Sequence, residues 1–341
     1  AIANRKTIYE TVSWLSVSCK KEKDSMTYLR NSNIIMKQRI ISAMLVVSCA
    51  ISVHAAQNDW ENENVIQINR EPARAYFMPY AATPGDRHLS LNGTWQFRWA
   101  PTPEAIAQAQ WTTIAVPANW EVNGFGTPIY SSSGYTFKVN PPYVMGTPKK
   151  GYTTETERNP TGHYRRTFTL PETWSTDGGQ TYLRFDGVMS AFYVYINGKR
   201  VGYSQGSNHP SEFNVTQYVK AGENEISLEV YKYSDGTYLE DQDAWRFAGV
   251  HRDVTLFHTP SIRLRDYTIR TVAVDDTYRT FSLQVNPKLQ SHDGHSGEGY
   301  KVMAALYDAE GVKVTEMSAD ALPILNLAHK AGVMNEWYPQ R

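Results

Sequence analysis

From Leu89 onward the apolar residues recur at every second position, the period of a half-buried strand rather than of a helix. Trp95, Phe97 and Trp99 alternate with Thr94, Gln96 and Arg98, and a similar run carries Tyr164, Arg166, Phe168 and Leu170. Tyr182-Leu183-Arg184-Phe185 follows. Phe192-Tyr193-Val194-Tyr195-Ile196 leads into Asn197-Gly198, a dipeptide that tolerates positive φ at both positions of a two-residue turn. Val201-Gly202-Tyr203 is then the return strand of a hairpin, and Ile226 to Val230 and Val254 to Phe257 supply two more strands. No segment of this stretch keeps a helical period for long. Many short strands separated by turn signals predict an all-β, antiparallel β-sandwich.

A boundary is expected near Thr259-Pro260, with a new strand series beyond it. Ile262 to Arg265, Phe281 to Val285, Val302 to Tyr307 and Val312 to Val314 are its strands. An immunoglobulin-like sandwich needs about seven strands over roughly 100 residues, so this second domain, residues 260–341, reads as incomplete, with edge strands open to aggregation. The last twenty residues lose the alternation. A frame error or premature end near Ser318 accounts for that, as does a short helix.

The amino-terminal residues read differently. Met36-Lys37-Gln38-Arg39 is a short basic start, residues 40–53 are mostly apolar, and His54-Ala55-Ala56 precedes a switch to polar sequence. That order is a secretory signal peptide, residues 36–56, and its apolar run is shorter than the ~20 residues of a membrane span. Residues 1–35 then read as upstream read-through. Val46-Val47-Ser48-Cys49 resembles a lipobox, which makes a lipoprotein anchored at Cys49 an alternative to simple cleavage near Ala56. The expected compartment is periplasmic or extracellular. Cys19 and Cys49 both precede the cleavage point, so the mature chain holds itself together without disulfides.

Charge and composition narrow the function. The chain is formally neutral, but residues 57–341 carry 26 Lys and Arg against 31 Asp and Glu, and no basic stripe, which argues against nucleic acid. The 22 Tyr and 9 Trp lie among Asn, Gly and Asp. Flat aromatic faces beside hydrogen-bonding groups suit sugars, and they suit the core of a sandwich equally. There is no glycine-rich phosphate loop and no Cys/His metal set; His163 and His251 each stand alone in strand-like sequence.

The segment Tyr238-Leu239-Glu240-Asp241-Gln242-Asp243-Ala244-Trp245-Arg246 gathers three carboxylates within four residues. Carboxylates accept hydrogen bonds from adjacent sugar hydroxyls and ligate hard cations through oxygen. They also form plain solvated turns, here paired with Arg246 or Arg252. The segment resembles one in the LacZ-type β-galactosidases of glycoside hydrolase family 2. Further matches lie in the same order: Val116-Pro117-Ala118-Asn119-Trp120 with Gly124, Pro128-Ile129-Tyr130, Val139-Asn140-Pro141-Pro142, Asn159-Pro160-Thr161-Gly162, Phe185-Asp186-Gly187-Val188 and Gly202-Tyr203. Asp59-Trp60-Glu61-Asn62 with Asn69-Arg70 is similar to the family's extended leader, which lies along subunit contacts. The resemblance covers residues 59–260.

The resemblance implies a leader at residues 57–88 and a jelly-roll-like sugar-binding domain at 89–259, followed by the incomplete immunoglobulin-like one. By the same resemblance Asp243 contacts the galactosyl group and a sodium ion, while Glu240 and Asp241 are structural hydrogen-bond partners. Ser132 stands where the family carries an asparagine that also reaches the sugar, a departure that loosens strict galactose specificity. The family's retaining mechanism uses two glutamates about 5–5.5 Å apart, on a TIM barrel of about 250 residues for which this chain has no room. Asn335-Glu336 only mimics the acid/base pair, since no alternating βα pattern surrounds it. The chain is therefore expected to hold no catalytic residue. The intact enzyme would hydrolyse terminal β-galactosides as a homo-oligomer, with magnesium ligands beyond this chain and no membrane span. The alternative expectation is a stand-alone exported carbohydrate-binding sandwich, and a family 2 glucuronidase or mannosidase activity is a third.

Overall fold

A computed structural model describes residues 58–75, 77, 87–152, 156–292 and 298–320, together with the backbone of strands at residues 7–8 and 332–337. The expected signal peptide, with Cys49, lies outside the described residues. By contacts the described residues from Asp59 onward belong to one compact unit, Ala1–Leu15 with Asp59–Arg341.

Twenty-one strands follow one another among the described residues: β1 (Thr7–Ile8), β2 (Gln67–Ile68), β3 (His88–Ser90), β4 (Gly93–Ala100), β5 (Thr112–Val116), β6 (Tyr130–Ser131) and β7 (Thr161–Leu170) come first. Then come β8 (Gln180–Phe185), β9 (Val188–Met189), β10 (Ala191–Ile196), β11 (Lys199–Gln205), β12 (Ser211–Asn214), β13 (Gly222–Tyr231) and β14 (Ala244–Trp245). The last are β15 (Gly249–Val250), β16 (Val254–Thr259), β17 (Ile262–Ala273), β18 (Phe281–Ser291), β19 (Lys301–Tyr307), β20 (Lys313–Asp320) and β21 (Gly332–Trp337). The α-helices among the described residues are single turns, Thr173–Thr176 and Thr237–Glu240.

The first domain is the antiparallel sandwich that the alternation predicts. A seven-stranded sheet in the order β2-β11-β10-β13-β7-β4-β5 faces a four-stranded sheet in the order β12-β8-β16-β3. Trp95, Phe97, Tyr164, Phe192, Val194, Ile226, Leu228 and Val230 from the larger sheet share one core cluster with Leu183, Phe185, Phe213, Val254 and Leu256 from the smaller. The Asn197-Gly198 turn takes positive φ at both positions, 50° and 74°, and joins β10 to β11 as a hairpin. Gly162 is required by close approach: a Cβ there would sit 2.6 Å from the Trp120 ring and 2.7 Å from Phe97.

The outer faces are partly covered as well. On the larger sheet Trp60 of the leader stacks on Tyr231 at 5.2 Å, within a second cluster that includes Phe137, Val144, Tyr193 and Tyr203. On the smaller sheet the guanidinium of Arg263 lies 3.8 Å from the Tyr182 ring centroid, and Tyr182 is stacked on Phe257. The leader is pinned there by Arg74, which pairs with Glu212, while Glu212 also accepts from Arg184. One residue on, the Ala75 N–H donates to Asp266 of β17.

The strands past Thr259 form two three-stranded sheets, β17-β18-β21 and, with β1 from residues 7–8 added parallel to β19, β1-β19-β20. Their shared core is small: Leu264, Leu289 and Val302. These strands fall short of a full immunoglobulin-like sandwich, and no barrel is present among the described residues. One expectation is corrected. Residues 332–337, where a short helix was one way to explain the lost alternation, form strand β21, hydrogen-bonded to β18. Its backbone partner supplies the order that the sequence pattern lacks.

Candidate functional site

The acidic segment and the Pro128-Ile129-Tyr130 loop meet in a two-stranded ribbon. Strands β6 and β14 pair antiparallel, with Ala244 opposite Ser131 and Trp245 opposite Tyr130. Asp243 and Ser132 each lie one residue beyond the last pair, so the ribbon brings both sequence-predicted site residues to the same end. Both are exposed. Asp243 takes a left-handed backbone conformation, φ 43°, uncommon for a residue with a side chain. Its Oδ1 accepts from the Tyr130 hydroxyl at 2.7 Å, and that bond to a carboxylate raises the Tyr130 pKa.

Beneath the ribbon the polar groups are buried and paired. The Arg246 side chain is fully buried; it touches the Asp241 carboxylate at 2.5 Å and donates to the carbonyls of Ala244, Asp241 and Gly134. One guanidinium thus fastens β14, the turn that carries Asp243 and the loop after β6, a use suited to its fixed fork of donors. Burial pushes the Asp241 carboxyl up to about 6, against the pull of Arg246 and Lys232. Glu240, itself exposed, accepts from the Ser207 N–H at 2.8 Å and the Ser207 hydroxyl at 2.6 Å. Arg252 donates elsewhere, to the Asn208 carbonyl.

A second buried pair holds the root of the ribbon. Lys232 Nζ lies 2.7 Å from Glu121 Oε1 and reaches the Thr127 carbonyl, and Glu121 Oε2 accepts from the Ala248 N–H. Desolvation raises the Glu121 pKa while Lys232 opposes it. From the other side Tyr238 accepts from the Asn140 N–H and donates to the Tyr143 carbonyl, tying the long loop after Ser132 to the helix before Asp241. Glu61 of the leader accepts from the N–H groups of Val144 and Met145 in that loop.

The ribbon also carries residues that the sequence did not single out. Tyr130 and Trp245 are 52% and 53% exposed, with ring centroids 5.6 Å apart, and Trp245 stacks on Phe247 at 5.4 Å. Both aromatics sit inside quoted motifs, but two-residue strands carry no alternation to reveal which way they face. The lone histidines are no part of this site. His163 lies on β7 beside Arg98, and burial with that neighbouring charge pushes its pKa down to about 4. His251 lies just past β15, its pKa lowered by burial and by Arg252.

A sodium ion needs several oxygen ligands. The ribbon offers the Asp243 carboxylate and the Tyr130 hydroxyl, and among the described residues no group of three His, Cys, Asp or Glu is placed to hold a metal. No described helix is long and apolar enough to cross a membrane.

Comparison with known proteins agrees with this architecture. The fold is similar to an uncultured Clostridium sp. β-glucuronidase, with a TM-score of 0.51 at 17% identity over 78% of this chain and 41% of that one. It is similar also to the Ruminococcus gnavus β-glucuronidase in complex with uronic deoxynojirimycin, with a TM-score of 0.50 at 17% identity over 75% of this chain and 39% of that one. The chain thus spans about two fifths of the length of these enzymes, and at such identity the likeness is one of fold. Residues 89–260 match the sugar binding domain of glycosyl hydrolases family 2, half of the whole sequence. The chain belongs to glycosyl hydrolase family 2, of which it carries the sugar binding domain.

Proposed function

We propose that this chain is the sugar-side, non-catalytic region of an exported retaining β-galactosidase, with Asp243 as an acceptor for hydroxyls of the terminal galactose. The observation that carries the proposal is the ribbon, which sets Asp243 and Ser132 at one exposed end and ties Asp243 to Tyr130. Asp243 offers acceptor atoms in a frame fixed by Arg246, so the contact is ordered before sugar arrives. A carboxylate at that contact favours a neutral sugar over a uronate, whose own charge it repels. Ser132 is one amide shorter than the family's asparagine and leaves room for a substituted galactoside. Sodium beside Asp243, magnesium held elsewhere in the intact enzyme, a homo-oligomer with the leader at its contacts, and a periplasmic or extracellular location belong to the same proposal.

The chain itself hydrolyses nothing, because the two glutamates of the mechanism belong to a barrel. Purified chain, free of host enzyme, is expected to leave a chromogenic β-galactoside intact; turnover abolished by a substitution in the chain overturns this. Competition between galactose and glucuronate, followed by ligand-detected NMR, tests the sugar. Galactose is expected to bind more tightly, with the preference lost in Asp243→Asn. The stand-alone binding module is favoured instead by a sub-millimolar Kd for lactose, since half of an active site binds weakly. Tighter binding of glucuronate moves the assignment to the glucuronidase branch, whose fold the chain shares.

A further inference from the structure

Tyr130 and Trp245 face each other across the β6–β14 ribbon, and Tyr130 reaches from the indole at one end to the Asp243 carboxylate at the other. The three side chains therefore lie on one side of the ribbon. Trp245 is more than half exposed, yet it is not loose: Phe247 stacks on it with an interplanar angle of 11°, and the strand pairing fixes its backbone. An indole held in this way loses little rotamer freedom when a ligand covers it. Its π-face is negative and attracts the weakly positive C–H hydrogens of a pyranose ring. A carboxylate beside it takes hydroxyl hydrogen bonds and no donors of its own are needed.

We propose that Trp245, backed by Phe247 and bracketed by Tyr130, is a stacking platform for the sugar unit next to the one held at Asp243. The substrate class is then a β-galactoside whose neighbouring unit is itself a pyranose, rather than galactose on a small aglycone. This rests on Asp243 as the galactose contact. Apolar burial against an exposed ring adds affinity for the second unit alone, so the platform separates disaccharides from monosaccharides without altering the first contact.

The test is titration of the full chain with galactose and with β-1,4-galactobiose, read by saturation-transfer NMR and tryptophan fluorescence. The disaccharide is expected to bind about tenfold tighter, the worth of one aromatic stacking contact. Trp245→Ala is expected to remove that gain and the saturation transfer to the second ring, with galactose affinity within about twofold. Trp245→Phe is expected to keep part of the gain, and Trp111→Ala, at an exposed tryptophan outside the ribbon, all of it. Equal binding of the two sugars, or a gain that survives Trp245→Ala, overturns the platform while leaving Asp243 in place. Galactose binding unchanged in Asp243→Asn overturns the parent assignment and the platform's place beside it, and no binding of either sugar overturns both.

Discussion

Strands β13 and β20 are both antiparallel and similar in length, yet they meet different surroundings. In β13, Ile226, Leu228 and Val230 are at most 1% exposed, held between the larger sheet and the smaller one. In β20 every residue is exposed except Met317, which is half-buried. Both strands are paired along their length, ten pairs from β13 to β7 without a break and seven from β19 to β20 with one register shift between Leu306 and Tyr307. Backbone pairing alone therefore does not make a core. What separates the regions is how much apolar surface the two sheets of each cover, and stability follows the apolar area removed from water rather than the count of strands.

Substitutions widen or close that gap. Phe97→Ala in the first core is expected to cost about 3–5 kcal/mol, whereas Val302→Ala in the small core past Thr259 costs about 1.5 kcal/mol. Urea midpoints of the two variants check the contrast, and equal losses would break it. Lys232→Ala leaves Glu121 buried without its cation and is expected to cost about 3–5 kcal/mol. The same midpoints check it, along with loss of NMR signals at Thr127 and Ala248. Native-state hydrogen exchange is expected to show the β13 amides protected by global unfolding and those of β20 by shallow local opening.

The leader offers a pH handle between the regions. Desolvation alone would raise the pKa of Glu212, but Arg74 and Arg184 hold its carboxyl well below the usual range, at about 2. A depressed folded-state pKa gives stability that is complete above the unfolded value near 4.5 and is lost as pH falls towards 2. The loss is of the order of 3 kcal/mol. Urea midpoints from pH 5 to pH 2 are expected to fall more steeply in the parent than in Glu212→Gln. The smallest effect is expected at Val314→Thr, within about 0.5 kcal/mol, because the position already faces solvent.

The first sandwich was legible because alternation writes burial directly into spacing: Trp95 and Phe97, Phe192 to Ile196, and the Asn-Gly turn all fall as read. Alternation spoke less clearly where a strand is covered on both faces, as in β8, where Thr181 to Phe185 are all buried. The site was legible only as motifs. Its ribbon joins residues 113 apart through four backbone positions, too short for any period. The anchoring of that ribbon by Arg246, Lys232 and Glu121 depends on burial of charges, and sequence alone marks such residues as surface. The β21 strand was missed for a related reason, since its pairing is set by β18 rather than by its own pattern.

The leader's attachment has a consequence for the order in which the protein is made. Arg74 is synthesised 138 residues before Glu212, and Ala75 191 residues before Asp266. At ordinary translation speeds the segment waits roughly ten to forty seconds for its last partner. Until Glu212 and Tyr231 are made, Arg74 and Trp60 have no groove to enter, and the leader is among the last parts of the domain to settle. A nascent chain halted before Glu212 would carry an aromatic, arginine-bearing arm whose partners are not yet made, which makes that window the natural place for a chaperone to act.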